Sequence, residues 1–230
     1  MAAPKGGTRE RILDAAEALI AERGFDAASI REIANRSGDT IGTLSYHFKS
    51  KDRLLVEVVH RRFDVLTDLR RSMYAGFRVR AGGTPDLEDA ITAITVPFLE
   101  RAMCGGDAWQ SYTTLMGRMM YVGDRANYKE IADLTDPVAR EFLGWLKAAA
   151  PQTSAADIGY AYQFIIGCLM DCCSQMENDR IHRITDGACS ASNYEEIMGR
   201  FLTFVTTGAR ALIEQKSKSR PAAHWLPAPA

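Results

Sequence analysis

Cysteine is scarce, and so is charge of one sign. There are five cysteines in 230 residues. The number is odd, and Cys168, Cys172 and Cys173 crowd into one apolar segment. That argues against a secreted disulfide scaffold. Their spacing fits no standard zinc pattern, and no histidine lies nearby in sequence, so small buried thiols are expected and no metal. Basic residues number 28 and acidic residues 29, a net charge of −1. Taken whole, the chain is not a polycation. Residues 1–72 carry 13 basic and 11 acidic residues (net +2), and residues 73–230 carry 15 and 18 (net −3). The sign of that asymmetry suits an N-terminal phosphate-contacting region, though only weakly. No apolar run approaches the ~18 residues that a membrane span needs. The longest, Phe164 to Met170, is expected to be a core helix segment. The opening MAAPKGGTRERI has no apolar stretch, so no signal peptide and a cytoplasmic location are expected.

Catalytic signatures are missing as well. There is no G-x-S-x-G elbow, no phosphate-binding glycine loop, no H-E-x-x-H and no Glu-x-x-His pair. His47, His60, His182 and His224 do not cluster. No catalytic residue and no cofactor is expected, and an enzyme is the weaker reading. Composition is that of a globular protein able to bury its own core, with 47% hydrophobic and 25% charged residues.

What is present is helix. There is no sustained period-2 alternation and no Asn-Gly hairpin signal. Thr8 is placed to cap a first helix, with Ile12, Ala16, Leu19 and Ile20 on one face and Gly24 as its stop. Ser29 and Glu32 form a capping box for a second helix, whose Ile30, Ile33 and Ala34 face inward. Ser37-Gly38-Asp39 breaks it. Thr40 caps a short third helix to about His47. Ser50 caps a long fourth, with Leu54, Leu55, Val58, Val59, Leu66 and Leu69 at helical spacing. Arg80 to Pro85 reads as a linker. Later helices are expected over 86–103, 107–121, 128–135, 137–149, 155–178 and 194–216. Pro97 should kink or divide the first of these, and Asp136-Pro137 should begin a helix of its own. Ser154 with Asp157 and Asn193 with Glu196 are further cap-like pairs. The expected organisation is a tail over 1–7, a DNA-binding unit over 8–50, a larger helical domain over 51–216 and a Pro/Ala-rich tail over 217–230.

Three short helices with a glycine-containing turn between the second and third are the geometry of a helix-turn-helix. A reading helix needs apolar residues on its back and short polar ones toward the bases. Leu44 and Phe48 suit the back. Thr40, Thr43 and Ser45 are short hydrogen-bonding groups on the front. Gly42 leaves room for close approach. Tyr46, His47 and Lys51 are placed to reach phosphates. A plain three-helix core offers a similar pattern.

The residues from Ser29-Ile-Arg-Glu-Ile-Ala-Asn-Arg-Ser-Gly through Thr40-Ile-Gly-Thr-Leu-Ser-Tyr-His-Phe-Lys-Ser-Lys-Asp-Arg-Leu-Leu resemble the DNA-binding signature of the TetR (tetracycline-repressor) regulators. The resemblance covers about residues 8–59, and its centre is Gly42-Thr-Leu-x-Tyr-His-Phe-x-x-Lys51. It implies an all-α homodimer with a C-terminal ligand-binding domain, bound as a repressor to a palindromic operator and released by a small effector. The chain departs from the pattern at Asp39, where the family has an apolar residue, at Ile41, where a polar one is common, and at Ser45, where an aromatic is usual. Asp39 suits the helix macrodipole but repels a nearby phosphate. Ile41 has two readings: contact with a thymine methyl, or packing against the first helix.

In the larger domain, Trp109, Tyr112, Met116 and Met119 repeat at helical spacing and could wall an apolar ligand or simply fill the core. Asp171 lies in an otherwise apolar helix with Phe164 and Cys168, and a buried carboxylate needs a partner. Arg118 is the partner proposed by sequence. The pair could hold the polar head of an apolar effector, or form a structural ion pair, or lie at a wet subunit interface. The last two long helices, with Gly167, Gly199 and Gly208, are expected to join two copies. The competing reading is a helical ligand-binding protein or enzyme whose helix-turn-helix is vestigial.

Overall fold

The computed structural model describes residues 7–119, 128–174, 180–190 and 193–214, apart from the side chains at 118, 128, 174 and 214. The expected tails over 1–6 and 217–230, Met120, Tyr121, the Arg118 side chain and the expected helix ends at 178 and 216 lie outside them. Among the described residues the chain is all-α. Its helices are α1 (Thr8–Arg23), α2 (Ile30–Ser37), α3 (Ile41–Phe48), α4 (Lys51–Ala81), α5 (Leu87–Cys104), α6 (Asp107–Met119), α7 (Tyr128–Ala149), α8 (Ala155–Ser174), α9 (Arg180–Ile184) and α10 (Tyr194–Glu214).

Local chemistry sets most of the boundaries. Ser29 Oγ accepts from the Glu32 amide while the Glu32 carboxylate accepts from the Ser29 amide, a complete capping box. Thr40 and Ser50 cap α3 and α4 by accepting from the amides of Thr43 and Arg53. Each such cap contributes about 1 kcal/mol. Gly38, at φ 74°, closes α2 in the left-handed region, which a side chain would oppose. Ser154 and Asn193 accept from the amides of Asp157 and Glu196 as expected. Thr8 departs from expectation. It is the first helical residue, Gly7 is the cap, and the Thr8 hydroxyl accepts from Arg11 Nη2 at 3.2 Å.

The two prolines do less than their chemistry suggests. Pro97 lies inside an undivided α5, and Pro137 inside an undivided α7 rather than at the start of a new helix. Asp136 is therefore no cap. The reason is tertiary. Ile131, Val138, Phe142 and Leu146 form one buried stripe running through Pro137. Ending the helix at Asp136 would separate Ile131 from the rest of that stripe, and one buried side chain at roughly 1.5–3 kcal/mol is comparable with the cost of one proline inside a helix. The short α9 carried no periodic signal and was not expected.

Two apolar cores result. The first joins Ile12, Leu13, Ala16, Leu19 and Ile20 of α1, Ile33 and Ala34 of α2, Leu44 and Phe48 of α3, and Leu54, Leu55, Val58 and Val59 of α4. Leu115 of α6 and Ile131 of α7 belong to this same core. The second takes Phe63, Leu66 and Tyr74 from further along α4, with Ile91, Ile94, Phe98, Tyr112, Phe142, Leu146, Ile165, Leu169, Phe201 and Val205. The long α4 thus serves both cores, and α6 reaches from one into the other.

Candidate DNA-reading helix and effector domain

The third helix has the two faces that base reading requires. Leu44 is 1% exposed and Phe48 3%; they fix its back to the first core. On the front, Thr40, Ile41, Gly42, Ser45, Tyr46 and His47 are exposed and Thr43 is half-buried. The Thr40 and Thr43 hydroxyls are 2.9 Å apart, so the pair is already ordered. Tyr46, 83% exposed, has only the edge of the His47 ring against it, at 5.3 Å between centroids. Ile41 is 49% exposed and belongs to neither core. That exposure is compatible with the outward-facing reading.

Two of the expected features look different in three dimensions. Asp39 was expected to present a bare negative charge near the phosphates. Its carboxylate is instead mostly covered and accepts from Arg11 Nη2 at 2.9 Å. Lys51 was expected to reach outward. Its ammonium donates to the Asp26 carbonyl at 3.2 Å and stands 4.4 Å from the centre of the Phe25 ring. In this state it ties α4 to the α1–α2 turn.

The seven described residues expected to line a pocket fall into separate places. Tyr112 is fully buried in the second core, and Trp109 packs beside it with rings 6.0 Å apart and perpendicular. Met116 touches both cores and Met119 touches the first. Phe164 and Asp171 are corrections: both are exposed, Phe164 by 59%. The α8 helix buries Ile158, Ala161, Ile165 and Leu169, and helical geometry then points Tyr160, Phe164 and Asp171 outward. Cys168 is half-buried and shares an open groove with Phe164, Gly167, Phe204, Gly208 and Leu212, between α8 and α10. Burial raises the pKa of the Cys168 thiol, and pushes that of Cys172 up to about 11. Both thiols therefore stay protonated at neutral pH, which makes them weak nucleophiles.

A polar network between the cores was not foreseen. Glu17, on α1, is 1% exposed. Its carboxylate accepts from Arg61 Nη2 at 2.9 Å and from Arg62 Nε at 2.7 Å, both on α4. Arg61 also donates to Glu10 and Asp14. Arg62 lies 4.8 Å and Arg101 5.5 Å from the centre of the Trp109 ring. The path Glu17–Arg62–Trp109 links α1, α4 and α6. No spacing rule finds it, because its partners are 44 and 45 residues apart.

Trp109 is held tightly. A Cβ at Gly105 would come within 2.5 Å of the Arg101 carbonyl oxygen and 2.7 Å of the Trp109 Cβ. Neither atom belongs to a flexible chain end, so Gly105→Ala must move the Trp109 backbone. The expected cost is about 1–3 kcal/mol, a fall in Tm of roughly 2–10 °C for a chain of this size. Scanning calorimetry measures it, and near-UV circular dichroism should report the displaced indole. An unchanged Tm and spectrum would mean that this turn is not rigid.

Comparison with known proteins agrees with this geometry. Residues 12–58 match the family described as bacterial regulatory proteins, tetR family, and residues 92–208 match the tetracyclin repressor-like C-terminal domain. The chain belongs to the TetR family. Its family and named relatives are transcriptional regulators rather than enzymes. The chain is 38% identical over 71 residues to the HTH-type transcriptional repressor KstR2 of Rhodococcus jostii, covering 31% of this chain and 35% of that protein. It is 42% identical over 71 residues to the HTH-type transcriptional repressor KstR of Mycobacterium tuberculosis, covering 30% and 31%. These matches span about a third of each relative. Among solved structures, the fatty acid degradation regulator FadR from Bacillus halodurans superimposes with a TM-score of 0.62 at 16% identity, over 86% of this chain and 98% of that one. The ketosteroid transcriptional regulator KstR2 of M. tuberculosis does so with 0.56 at 18%, over 90% and 97%. The fold is therefore shared along nearly the whole chain, while the named repressors match it over about a third of its length. No described helix is long and apolar enough to cross a membrane.

Proposed function

We propose that this TetR-family regulator is a homodimeric repressor. It reads a palindromic operator with α3 and leaves it when a small, largely apolar effector enters the second core. It acts in the cytoplasm, where the DNA is. The observation that carries the reading is the two-faced α3: Leu44 and Phe48 are buried while Thr40, Ile41, Ser45, Tyr46 and His47 stand exposed together. Thr40, Thr43 and Ser45 would donate to or accept from base edges, Ile41 would meet a thymine methyl, and Tyr46, His47 and Lys51 would hold phosphates.

Dimerisation would use α8 and α10. Tyr160, Phe164 and Phe204 are 56%, 59% and 70% exposed in the protomer, a costly display of aromatic surface unless a second copy covers it. A Cβ at Gly167, Gly199 or Gly208 would meet nothing within 4 Å, so a second helix has room to approach. The effector would lie against Trp109, Tyr112 and Met116. Its presence would be felt at α3 because Leu115, on the same helix, is part of the first core, and because Arg62 bridges Trp109 to Glu17 on α1. An effector that prefers the geometry ill-suited to DNA would then release the operator.

Selection of bound sequences from a random DNA pool tests the operator claim. A recovered palindrome supports a dimeric reader. Failure to enrich any motif would leave a helical ligand-binding protein with a vestigial helix-turn-helix. On the recovered site, Tyr46→Ala should weaken binding about 10- to 100-fold, the loss of one charge-assisted hydrogen bond. Its Tm should hardly change, since the side chain is exposed. Mobility shift and calorimetry separate the two effects.

A further inference from the structure

Arg70 is out of place. It is 6% exposed on the buried face of α4, between Leu66 and Tyr74, in the middle of the second core. Its Nε donates to the Ile94 carbonyl at 2.8 Å. Its guanidinium carbon lies 5.7 Å from the centre of the Phe98 ring and 5.3 Å from that of Phe142. Among the described residues no carboxylate is paired with it, and its hydrogen bond is made through Nε, leaving the two terminal nitrogens available. Other buried or half-buried guanidinium groups, such as those of Arg11, Arg61 and Arg62, are paired with a carboxylate. Arginine does not lose its proton in a protein. Burial lowers the pKa of this guanidinium from its usual value, against smaller opposing contributions from Tyr112, Tyr162 and Cys173. A cation so deep, with no carboxylate beside it among the described residues, carries a desolvation cost that one carbonyl and two ring faces offset only in part.

The surroundings supply more unused polar groups. Thr67 Oγ1, one turn before Arg70 on α4, and Tyr112 Oη are both buried with no hydrogen-bond partner. Arg70 is the largest charged influence on Tyr112, and also acts on Tyr162 and Cys173 from across the core. A fork of two N–H-bearing nitrogens, two unpaired hydroxyls and walls of Phe98, Phe142 and Tyr112 are thus gathered in one apolar interior. A structural ion pair needs no such set; an anion with an apolar body uses all of it.

The geometry points to Arg70 as the anchor of the effector's head group, and to an effector that is an organic monocarboxylate on an apolar body, with Thr67 and Tyr112 completing the hydrogen bonds. This deepens the effector reading given above and rests on it. One guanidinium balances one negative charge. Its planar fork matches the two oxygens of a carboxylate. A dianionic phosphate would keep a charge unmet, because the other guanidinium that acts on Tyr112, that of Arg62, is already paired with Glu17. Uncharged sterol-like or hydrocarbon effectors would leave the guanidinium as costly as before. Entry of the carboxylate would give the Arg70 guanidinium a counter-charge, so binding should stabilise the protein.

The test uses the full chain without DNA. Decanoate, phenylbutyrate and adamantane carboxylate, each beside its methyl ester, are titrated while tryptophan fluorescence and Tm are followed. At least one acid should bind about 10- to 100-fold more tightly than its ester, the range for a hydrogen-bonded charge. Arg70→Met should abolish that preference while leaving ester binding intact, and Arg70→Lys, which keeps the charge but loses the fork, should fall between. Circular dichroism checks that both variants fold. Equal binding of acid and ester by the wild type, a preference that survives Arg70→Met, or no binding by any acid overturns the proposal. So does an Arg70→Met chain that fails to fold, because a ligand anchor is not what the empty fold should stand on. Operator release is measured separately by mobility shift. An acid that binds through Arg70 and leaves the operator occupied keeps the anchor and overturns derepression. Release by an ester with no help from Arg70 does the reverse.

Discussion

Glu17→Ala should destabilise the protein by about 3–5 kcal/mol, the usual cost of breaking a buried ion pair from one side. The carboxylate is 2% exposed and takes hydrogen bonds from Arg61 and Arg62, whose side chains are 19% and 14% exposed. Removing it leaves two guanidinium groups turned toward an apolar seam. Arg61 can fall back on Glu10 and Asp14, both exposed. Arg62 has no second carboxylate among the described ion pairs and keeps only the Trp109 ring. Glu17→Gln, which retains acceptor geometry but no charge, should cost roughly half as much. Replacing Glu17 and Arg62 together by Met and Leu should recover most of the loss, because well-packed apolar pairs often match a buried ion pair in stability. The recovery is the informative part. If the pair serves only stability, the double variant behaves as the wild type in every assay. If it carries the coupling between the effector site and α1, the double variant folds, binds DNA and binds effector, but the two no longer affect each other. Urea unfolding gives the first quantity. Operator affinity with and without effector gives the second, and the coupling energy follows from the ratio. A loss below about 1 kcal/mol for Glu17→Ala would sink the claim that this seam is dry.

The contrast between Glu17 and Ser29 shows what the sequence discloses. Ser29, Thr40, Ser50, Gly24 and Gly38 were legible because a cap is a bargain between residues three or four apart. The recognition helix was legible for the same reason, with Leu44 and Phe48 spaced one turn apart on its back. Glu17 was not, since its partners are on another helix and nothing near it in sequence announces them. Asp171 was expected to be buried and is exposed in the protomer. Its neighbours in sequence are apolar, but its neighbours on the helix face are Phe164 and Cys168, which point to solvent and to the groove. Periodicity counted from Ile158, Ala161, Ile165 and Leu169 would have placed it outside. Pro137 was misread because a local breaker was weighed without the stripe it would have interrupted. Arg70 left a readable trace. Phe63, Leu66, Arg70 and Tyr74 continue the inward stripe of α4 in steps of three and four, and a charge on that stripe marks a burial that needs an explanation. Leu69, taken from sequence as an inward residue, is half-buried beside it.

Phe204→Glu should leave the protomer intact and take away the operator. The ring is 70% exposed, so its replacement changes little inside one chain, within about 0.5 kcal/mol for a surface position. In a two-fold dimer the same substitution acts twice. Each copy would bring a carboxylate to the apolar groove formed by Phe164, Gly167, Cys168, Phe204, Gly208 and Leu212. Neither Gly nor Leu nor Cys there offers a counter-charge, and two like charges would face a shared apolar seam. The penalty for an unpaired charge in such a place is about 3–5 kcal/mol, so the dimer dissociation constant should rise at least 100-fold. Operator affinity should fall with it. Two α3 helices on one dimer engage two half-sites at the effective concentration set by the body that joins them, and separate protomers lose that advantage, worth about 10²–10⁴. Sedimentation should show a dimer for the wild type at micromolar concentration and a monomer for Phe204→Glu, with the same helical circular dichroism. Mobility shift should show the half-site affinity alone. A dimer of unaltered strength would place the interface elsewhere and leave the exposed aromatic face of α8 and α10 to another partner. A monomer that still held the palindrome as tightly as the wild type would mean that DNA, rather than this face, assembles the pair.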